Sequence, residues 1–505
     1  MRRLEEYPDA HLRLFERPPV PPPEAIREVY LIGICGTGMG TLAVLLHEAG
    51  YKVRGSDAAA YPPMRTYLEQ RGIFFYEGYD PAHLEPPADL IVVGNSCTPT
   101  HPEAAAARER GLPQLSLPEA LVHFFLYKRR PVVVAGTHGK TTTSGLLAHV
   151  LLQAGQDSGF FIGGVMRGQE ISGRIGSGPW FVVEGDEYDS AYFDKRPKFL
   201  HYRPQAVLLT SIEFDHADLY DDLEDYREAF VQLVNLLPAQ GLLVAHGDDP
   251  LVRQVARSCR GQVLTYGLHT LCDVTVGQVY PTCEGQHFTL VVEGREVGRF
   301  FLPLSGRHNL RNALAVCAFG LHVGLTVEQL GQGLASFPGM KRRLEVCGEA
   351  DGVLVVDDFA HHPTAVRETL RAARQRWPDR RLVAVFEPRS NSSRRRRFEA
   401  AYIEAFDDAD VVWLSMPPFR HNDRPEDFFD PEHVAAGIRA RGIPTEVANG
   451  ADALLPRLLE MLQPGDVALL MSNGAFGNLP ARLIAALQMR APSATERSPN
   501  ASFSF

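Results

Sequence analysis

Three groups of residues have the types and spacing to do chemistry. The first is Gly136-Thr-His-Gly139-Lys140-Thr141-Thr142, which follows the apolar run Pro131–Ala135 and leads into the helical pattern Leu146, Leu147, Val150, Leu151. Strand, glycine loop, Lys-Thr and helix together make a phosphate cradle. The glycines let backbone N–H groups converge on oxygen, and the helix N-terminus adds a positive dipole end. Lys140 is placed to reach terminal phosphates, and the Thr141 hydroxyl to ligate Mg²⁺. The loop is shorter than the usual one, because Val134 stands where that motif has its first glycine. A glycine turn without ligand is the competing reading.

The second group lies at strand ends. Phe181-Val-Val-Glu184-Gly-Asp186-Glu187 and Ala206–Ile212 followed by Glu213-Phe-Asp215-His216 are apolar runs that finish in acids and an imidazole. Open α/β sheets place ligands at the carboxyl ends of their strands. Carboxylate and imidazole there suit metal ligation and positioning for phosphoryl transfer. Helix capping for the acids and a core hydrogen bond for His216 are the bland alternatives. The third group is Gly33-Ile-Cys35-Gly36-Thr37-Gly38-Met39-Gly40, with Asp57 closing the next strand. It reads as a βαβ nucleotide-binding start. Cys35 takes the middle glycine position of the dinucleotide fingerprint, where its side chain would crowd a pyrophosphate. The other glycines still permit an anion-binding loop, and a tight turn without ligand is the alternative.

The elements that position these groups read as α/β throughout. Residues 1–27, with Pro18-Pro19-Val20-Pro21-Pro22-Pro23, read as an extended lead-in. Residues 28–127 read as a first Rossmann-like domain with a strand ending at Asn95. Residues 128–338 read as a central P-loop domain, with a small antiparallel sheet at 261–303 and a helix opening at Asn309 and Asn312. Residues 339–488 read as a third, Rossmann-like domain whose strands end in Asp357-Asp358, in Glu387-Pro-Arg389-Ser390-Asn391, in Met416–Arg420 and in Ser472-Asn473. The polar tail 489–505 reads as disordered.

Bulk properties narrow the class. The 505 residues suit about three domains, and 45% hydrophobic content supplies a core for each. A formal net charge of -10 argues against a protein held to nucleic acid by phosphate attraction. The run Arg394–Arg397 reads as a solvated basic helix start. Seven scattered cysteines form no CxxC pair, which fits a reducing compartment. No apolar run is long enough for a membrane span, and the N-terminus lacks the apolar run of a signal peptide. The expected setting is cytoplasmic.

Taken in order, Gly136-Thr-His-Gly-Lys-Thr-Thr142, Glu184-Gly-Asp-Glu187, Asp215-His216, Gly306-Arg-His-Asn309-Leu-Arg-Asn312 and Asp358-Phe-Ala-His361 resemble the Mur ligase family. The resemblance covers about residues 28–488. It implies that ATP phosphorylates the lactoyl carboxylate of UDP-N-acetylmuramate, and that an amino group attacks the acyl phosphate to give an amide. It implies that Thr141, Glu184 and His216 hold Mg²⁺ and that Lys140, His216 and His361 are catalytic. ATP would meet Gly136, Thr137, His138, Gly139, Lys140, Thr141, Thr142 and Asn309, with Arg343 and Asp358 closing over it. The loop of Gly33, Cys35, Gly36, Thr37, Gly38 and Met39, with Asp57 and Asn95, would bind the nucleotide sugar instead of NAD. Arg389, Ser390, Asn391 and Arg420 are candidates for peptide carboxylates, which arginine matches bidentately. Some siblings use a carbamylated lysine after the Asp-His pair, but no lysine lies between Lys198 and Lys341.

Gly33-Ile-Cys-Gly-Thr-Gly-Met39, Gly55-Ser-Asp-Ala58, Tyr61-Pro-Pro-Met64, Phe193-Asp-Lys-Arg-Pro-Lys-Phe199, His201-Tyr-Arg-Pro204 and Phe386-Glu-Pro-Arg-Ser-Asn391 are similar to one branch of the family. That branch acts on UDP-N-acetylmuramate and the murein tripeptide L-alanyl-γ-D-glutamyl-meso-diaminopimelate, in peptidoglycan recycling. The sibling reading is ligation of free L-alanine. Readings from other classes are an NAD-dependent oxidoreductase built on 33–57 and a nucleotide-binding scaffold without turnover.

Overall fold

Runs of four to six Val, Ile, Leu and Ala residues become parallel strands here because helices cover both of their faces. The computed structural model describes residues 3–60, 64–169, 171–217, 219–269, 271–419 and 424–490. Arg420, Tyr61–Pro63 of the quoted motif, and 491–505 lie outside the described residues. The described residues form two compact units: 1–280 with 286–304 and 308–340, and the chain from 341 onward with 281–285 and 305–307.

The first unit contains a five-stranded sheet, a ten-stranded sheet and a two-stranded hairpin. β1 (Glu28–Ile32), β2 (Lys52–Asp57), β3 (Phe74–Glu77), β4 (Leu90–Val93) and β5 (Gln114–Ser116) are all parallel, in the order β3-β2-β1-β4-β5. The order reverses between β1 and β4, and such a switch point opens a crevice at the strands' carboxyl ends. The central strands are β6 (Arg130–Ala135), β7 (Gly159–Phe161), β8 (Gly173–Arg174) and β9 (Trp180–Gly185). A separate hairpin follows, β10 (Asp189–Ala191) with β11 (Asp194–Pro197), and then β12 (Ala206–Leu209) and β13 (Leu242–His246). β14 (Gln262–Tyr266), β15 (Val274–Pro281), β16 (Gln286–Val292) and β17 (Arg295–Leu302) complete a ten-stranded sheet. Its order is β17-β16-β15-β14-β13-β12-β6-β9-β7-β8.

Alternation along the strands sorts the core. Val133, Ala135, Val183, Val207 and Leu209 pack on one face with Leu31, Leu45 and Leu121 of the first sheet's layers. Val132, Val134, Val182 and Leu208 pack on the other with Leu310, Leu314 and Val316 of the helix Arg307–His322. Neighbouring residues point to opposite faces because a strand repeats every two residues. Within the stretch 261–303, β16 and β17 pair antiparallel as expected, but the stretch does not begin that way. Gln262–Tyr266 pairs parallel with β13, so the later strands extend the central sheet instead of standing alone.

The lead-in is also more than extended chain. Ala10–Arg13 is a short helix. Arg13 Nη1 donates to the Tyr192 carbonyl at 3.1 Å, and Arg17 grips Glu119 with both terminal nitrogens at 2.9 and 3.0 Å. Between the two arginines Phe15 packs on Tyr192 and Phe193, so the segment docks by ion pairing and ring contact together.

The second unit is a six-stranded sheet ordered β18-β19-β23-β20-β21-β22. Its strands are β18 (Glu345–Ala350), β19 (Val353–Asp358), β20 (Leu382–Phe386), β21 (Val411–Ser415), β22 (Thr445–Ala448) and β23 (Val467–Met471). β18 is antiparallel to β19, and the other pairs are parallel. The helix Leu479–Arg490 runs through Met489 and Arg490, which were expected in the tail.

Candidate active site

Gly136 and Gly139 have φ of 130° and 83°, values that side chains rarely adopt, so the loop can turn sharply between β6 and the helix Lys140–Gln153. The loop is tied to β12. Thr210 Oγ1 donates to the His138 carbonyl at 2.6 Å, Ser211 O accepts from Thr137 N at 2.9 Å, and Ser211 Oγ accepts from His138 N at 3.0 Å. Two loop amides are therefore turned into the protein. An anion at this loop would meet the amides of the helix's first turn, whose N–H groups have no intrahelical partner. This is a narrower cradle than the glycine spacing suggests.

Lys140 is held from several directions. Its ammonium donates to Gly136 O at 2.7 Å and to both oxygens of Glu187, at 3.0 and 2.9 Å. Burial opposes the charge, but Glu187 raises the Lys140 pKa from its ordinary value. Glu187 has no exposed surface. Burial alone would push its carboxyl up, yet Lys140 and His216 hold it down to about 2. His216 Nε2 lies 3.0 Å from Glu187 Oε1. A carboxylate only accepts, so Nε2 carries the proton of this contact. His216 has φ of 53° in the left-handed region, and its amide donates to Asp215 Oδ1 at 2.7 Å. Burial would lower the imidazole pKa, but Asp215 and Glu187 raise it.

Beside this group, Thr141 Oγ1 donates to Glu184 Oε1 at 2.7 Å, and Gly163 N donates to Glu184 Oε2 at 2.8 Å. Burial, then Asp186, push the Glu184 carboxyl up. His138 Nε2 meets Glu213 Oε2 at 2.8 Å. Thr142 is buried behind the loop. Asn312 Nδ2 donates to Asn309 Oδ1 at 3.2 Å, and a methyl group on Gly139 would lie 2.6 Å from Asn312 Oδ1. The structure thus brings together Gly136, Thr137, His138, Gly139, Lys140, Thr141, Glu184, His216 and the Asn309–Asn312 pair.

In the first sheet, Gly33 (φ 82°) ends β1 and Gly36 caps the helix Thr37–Glu48. Cys35 N donates to Asp57 Oδ2 at 2.8 Å. Met39 is buried in that helix, Gly38 passes within close reach of Leu117, and Asn95 is exposed just past β4. The glycine loop, Asp57 and Asn95 all stand at carboxyl ends of β1, β2 and β4.

In the second unit, Asp358 is buried, and its oxygens accept from Leu344 N at 2.7 Å, Ala360 N at 2.8 Å and Thr369 Oγ1 at 3.2 Å. It organises the turn after β19. Arg343 stacks over Phe359 at 5.0 Å, and His361 Nδ1 faces the Phe359 carbonyl at 3.0 Å. Arg389 lies against Gly474, Ser390 Oγ accepts from Ser393 N at 2.9 Å, and Asn391 Oδ1 accepts from Arg394 at 3.1 Å. Arg394 corrects the reading of a solvated run. It is 1% exposed, and its guanidinium also reaches the carbonyls of Ser390 and Pro418 at 3.3 and 3.2 Å. A planar five-donor fork can be buried where several carbonyl oxygens converge.

Sequence reasoning counted Glu187 among the strand-end acids suited to metal ligation or positioning but did not name it a site residue, and it missed Ser211 and Tyr226. The usable signal was its place three residues beyond Glu184, just past a strand end.

Comparison with known proteins agrees with this architecture. Three domain families match in order: the Mur ligase family catalytic domain over residues 28–129, the Mur ligase middle domain over 180–320, and the Mur ligase glutamate ligase domain over 342–474. A relative from Escherichia coli K12, UDP-N-acetylmuramate–L-alanyl-γ-D-glutamyl-meso-2,6-diaminoheptandioate ligase, is 39% identical over 468 residues, covering 92% of this chain and 99% of that protein. UDP-N-acetylmuramate–L-alanine ligase of Symbiobacterium thermophilum is 36% identical over 480 residues, 94% of this chain and 97% of its own. The crystal structure of a murein peptide ligase from Psychrobacter arcticus superposes with a TM-score of 0.70 at 33% identity, covering 92% of this chain and 99% of that one. The chain belongs to the Mur ligase family. It is an ATP-dependent ligase that forms an amide bond.

Proposed function

We propose that this Mur ligase joins L-alanyl-γ-D-glutamyl-meso-diaminopimelate to UDP-N-acetylmuramate with consumption of ATP, in peptidoglycan recycling. The observation that carries the reading is the convergence of Lys140, Thr141 and His216 through Glu187 and Glu184 at the ends of β6, β9 and β12. Relatives acting on these substrates span nearly the whole chain.

The chemistry follows from the poor leaving ability of oxide. The lactoyl carboxylate attacks the γ-phosphorus of ATP, and ADP leaves. The amino group of the tripeptide then attacks the acyl carbon. The amide forms, its extra proton is lost, and phosphate departs with one of the original carboxylate oxygens. Two anions must approach each other in the first step, so the site must supply positive charge. Lys140 does so at the loop, and the first-turn amides of its helix orient the phosphates. The loop 33–39, with Asp57 and Asn95, holds the nucleotide sugar at the first sheet's switch point. Asn309 recognises the base, Arg343 and His361 serve the nucleotide and the reaction, and Asp358 holds the turn that carries them. Arg389, Ser390, Asn391 and Arg420 take the peptide's carboxylates.

Thr141 and Glu184 suit a magnesium ion. Thr141 Oγ1 and Glu184 Oε1 are hard oxygen donors 2.7 Å apart. Neighbouring ligands on an octahedron with bonds of about 2.0–2.1 Å are separated by roughly 2.9 Å. Thr141, Glu184 and His216 would hold the ion, which would offset charge on the transferring phosphoryl group. None of the helices in the described residues is long and apolar enough to cross a membrane. A reaction that draws on ATP and a nucleotide sugar belongs in the cytoplasm.

The test is mass spectrometry of products from UDP-N-acetylmuramate, ATP and a mixed pool of free L-alanine and tripeptide. The tripeptide adduct is expected to dominate. A dominant alanine adduct would assign the chain to the sibling activity that the Symbiobacterium relative carries by name. With ¹⁸O in the lactoyl carboxylate, label must appear in released phosphate, and unlabelled phosphate would exclude the acyl phosphate.

A further inference from the structure

We propose that Glu187 is the positioning residue of this ligase, fixing the orientation of the Lys140 ammonium and of the His216 ring and releasing Lys140 when the triphosphate enters. The inference rests on the ligase reading above and adds a residue to it.

A counter-ion that merely neutralised a buried lysine would need one partner. Glu187 instead meets donors from three separate segments. Lys140, at the helix start after β6, reaches both oxygens at 3.0 and 2.9 Å. His216, in the loop beyond β12, reaches Oε1 at 3.0 Å. Tyr226, on the helix Leu223–Asn235, reaches Oε1 at 3.3 Å. A fourth contact fixes the backbone: Tyr220 Oη donates to the Glu187 carbonyl at 2.8 Å. Glu187, Tyr220 and Tyr226 are all buried. The carboxylate therefore has one orientation, set by the sheet end and two tyrosines, and it transmits that orientation to both cationic or protic groups.

An ammonium has three hydrogens. Here they are shared among Gly136 O, the two Glu187 oxygens and, at 3.5 Å, Thr137 O. Contact with a terminal phosphate requires at least one of these bonds to open. The Gly136 bond belongs to the loop itself, so the Glu187 bonds are the ones that exchange. After the exchange Glu187 still holds the His216 Nε2 proton, which keeps the ring's orientation through the phosphoryl step. The backbone at His216 is itself left-handed (φ 53°), a conformation that side chains rarely adopt.

The test is a double-mutant cycle on the full chain with Glu187→Gln, Lys140→Ala and the pair. It measures kcat with all three substrates and the affinity for the non-hydrolysable probe adenosine 5′-(β,γ-imido)triphosphate. In Glu187→Gln, kcat should fall at least about 100-fold while probe affinity stays within about threefold or tightens, since Lys140 no longer leaves a carboxylate. In the Lys140→Ala background the same change should alter kcat by less than about tenfold. A parent-like kcat in Glu187→Gln, full multiplicativity of the two changes, or probe affinity falling in step with kcat each overturns the proposal. Glu187→Asp keeps the charge and shortens the reach. It should keep probe affinity and lose at least about tenfold in kcat, and a parent-like kcat there also overturns it. Failure of the ligase reading would look different: the parent chain would form no adduct, while probe binding across the cycle would still report the Glu187–Lys140 coupling.

Discussion

Two glycine loops in the first unit share the plan of strand, turn and helix, yet they treat charge in opposite ways. The loop from Gly33 to Gly38 contains no charged side chain. Its ionic neighbour is Asp57, which accepts from Cys35 N, and burial together with Asp57 pushes the Cys35 thiol up to about 11. The loop from Gly136 to Lys140 buries a cation against a carboxylate with no exposed surface. A ligand that is only held needs fitted backbone donors. A ligand that is cleaved needs charge that can be moved, and such charge must have somewhere to rest when the ligand is gone.

The comparison breaks most sharply at Lys140. Lys140→Ala should lower kcat/KM by roughly 10³-fold or more, about 4 kcal/mol of transition-state stabilisation. Equilibrium binding of UDP-N-acetylmuramate, measured by calorimetry, should stay within about threefold. Joint loss of both would mean that the two loops do not divide the work. A smaller effect is expected at Gly139, where φ is 83° and an added methyl would sit 2.6 Å from Asn312 Oδ1. Gly139→Ala should cost about 1–2 kcal/mol in backbone conformation and weaken ATP binding at least tenfold, readable by nucleotide competition. Unchanged ATP affinity would show that this turn does not shape the cradle.

The uncharged loop should respond more mildly. Asp57→Ala leaves Cys35 N without its acceptor, a loss of about 1–2 kcal/mol. The KM for UDP-N-acetylmuramate should rise about five- to twentyfold in steady-state assays, with the KM for ATP unmoved. A rise in the ATP value instead would reverse the assignment of the loops.

The last effect lies in the second unit and tests stability alone. Burial pushes the Asp357 carboxyl up to about 6 despite the Arg342 guanidinium at 3.1 Å, and Asp358 adds to the rise. The ordinary value is 3.8. Between those values the folded state keeps a proton that the unfolded chain has lost. Stability contributed by this group therefore falls as pH rises from about 4 to 6, by on the order of 3 kcal/mol. Thermal midpoints of parent and Asp357→Asn at pH 4.5, 5.5 and 6.5 should diverge in the variant's favour as pH rises. Parallel profiles would mean that Arg342 compensates the burial fully.

Much of this architecture was legible in the chain, because buried parallel strands announce themselves as continuous apolar runs. Val132–Ala135, Phe181–Val183, Ala206–Leu209 and Val353–Val356 are such runs, and each ends in the polar residues expected at a ligand edge. Edge strands were harder. Phe74–Glu77, Gln114–Ser116 and Thr445–Ala448 are three or four residues long and only partly apolar, so periodicity had little to register. The stretch 261–303 showed its alternation but not its partner, since pairing direction is decided by the neighbouring strand. Within the site, Lys140, Thr141, Glu184 and His216 were visible from motif and strand end. Glu187 was not singled out among the strand-end acids, because its importance lies in donors that converge from positions 140, 216 and 226. Arg394 was misread for a related reason: the carbonyls that receive it come from residues 390 and 418, and nothing in a run of four arginines marks which one turns inward.

The ties between the short loop and Thr210 and Ser211 have a further consequence. With the His138 carbonyl and the Thr137 and His138 amides fastened to the neighbouring strand end, the peptide planes of the turn cannot rotate to meet an arriving anion. The electric field at the mouth of the helix is then a fixed property of the folded chain. Whatever enters must conform to it, and the work of aligning those dipoles is completed during folding and is not repeated in each turnover.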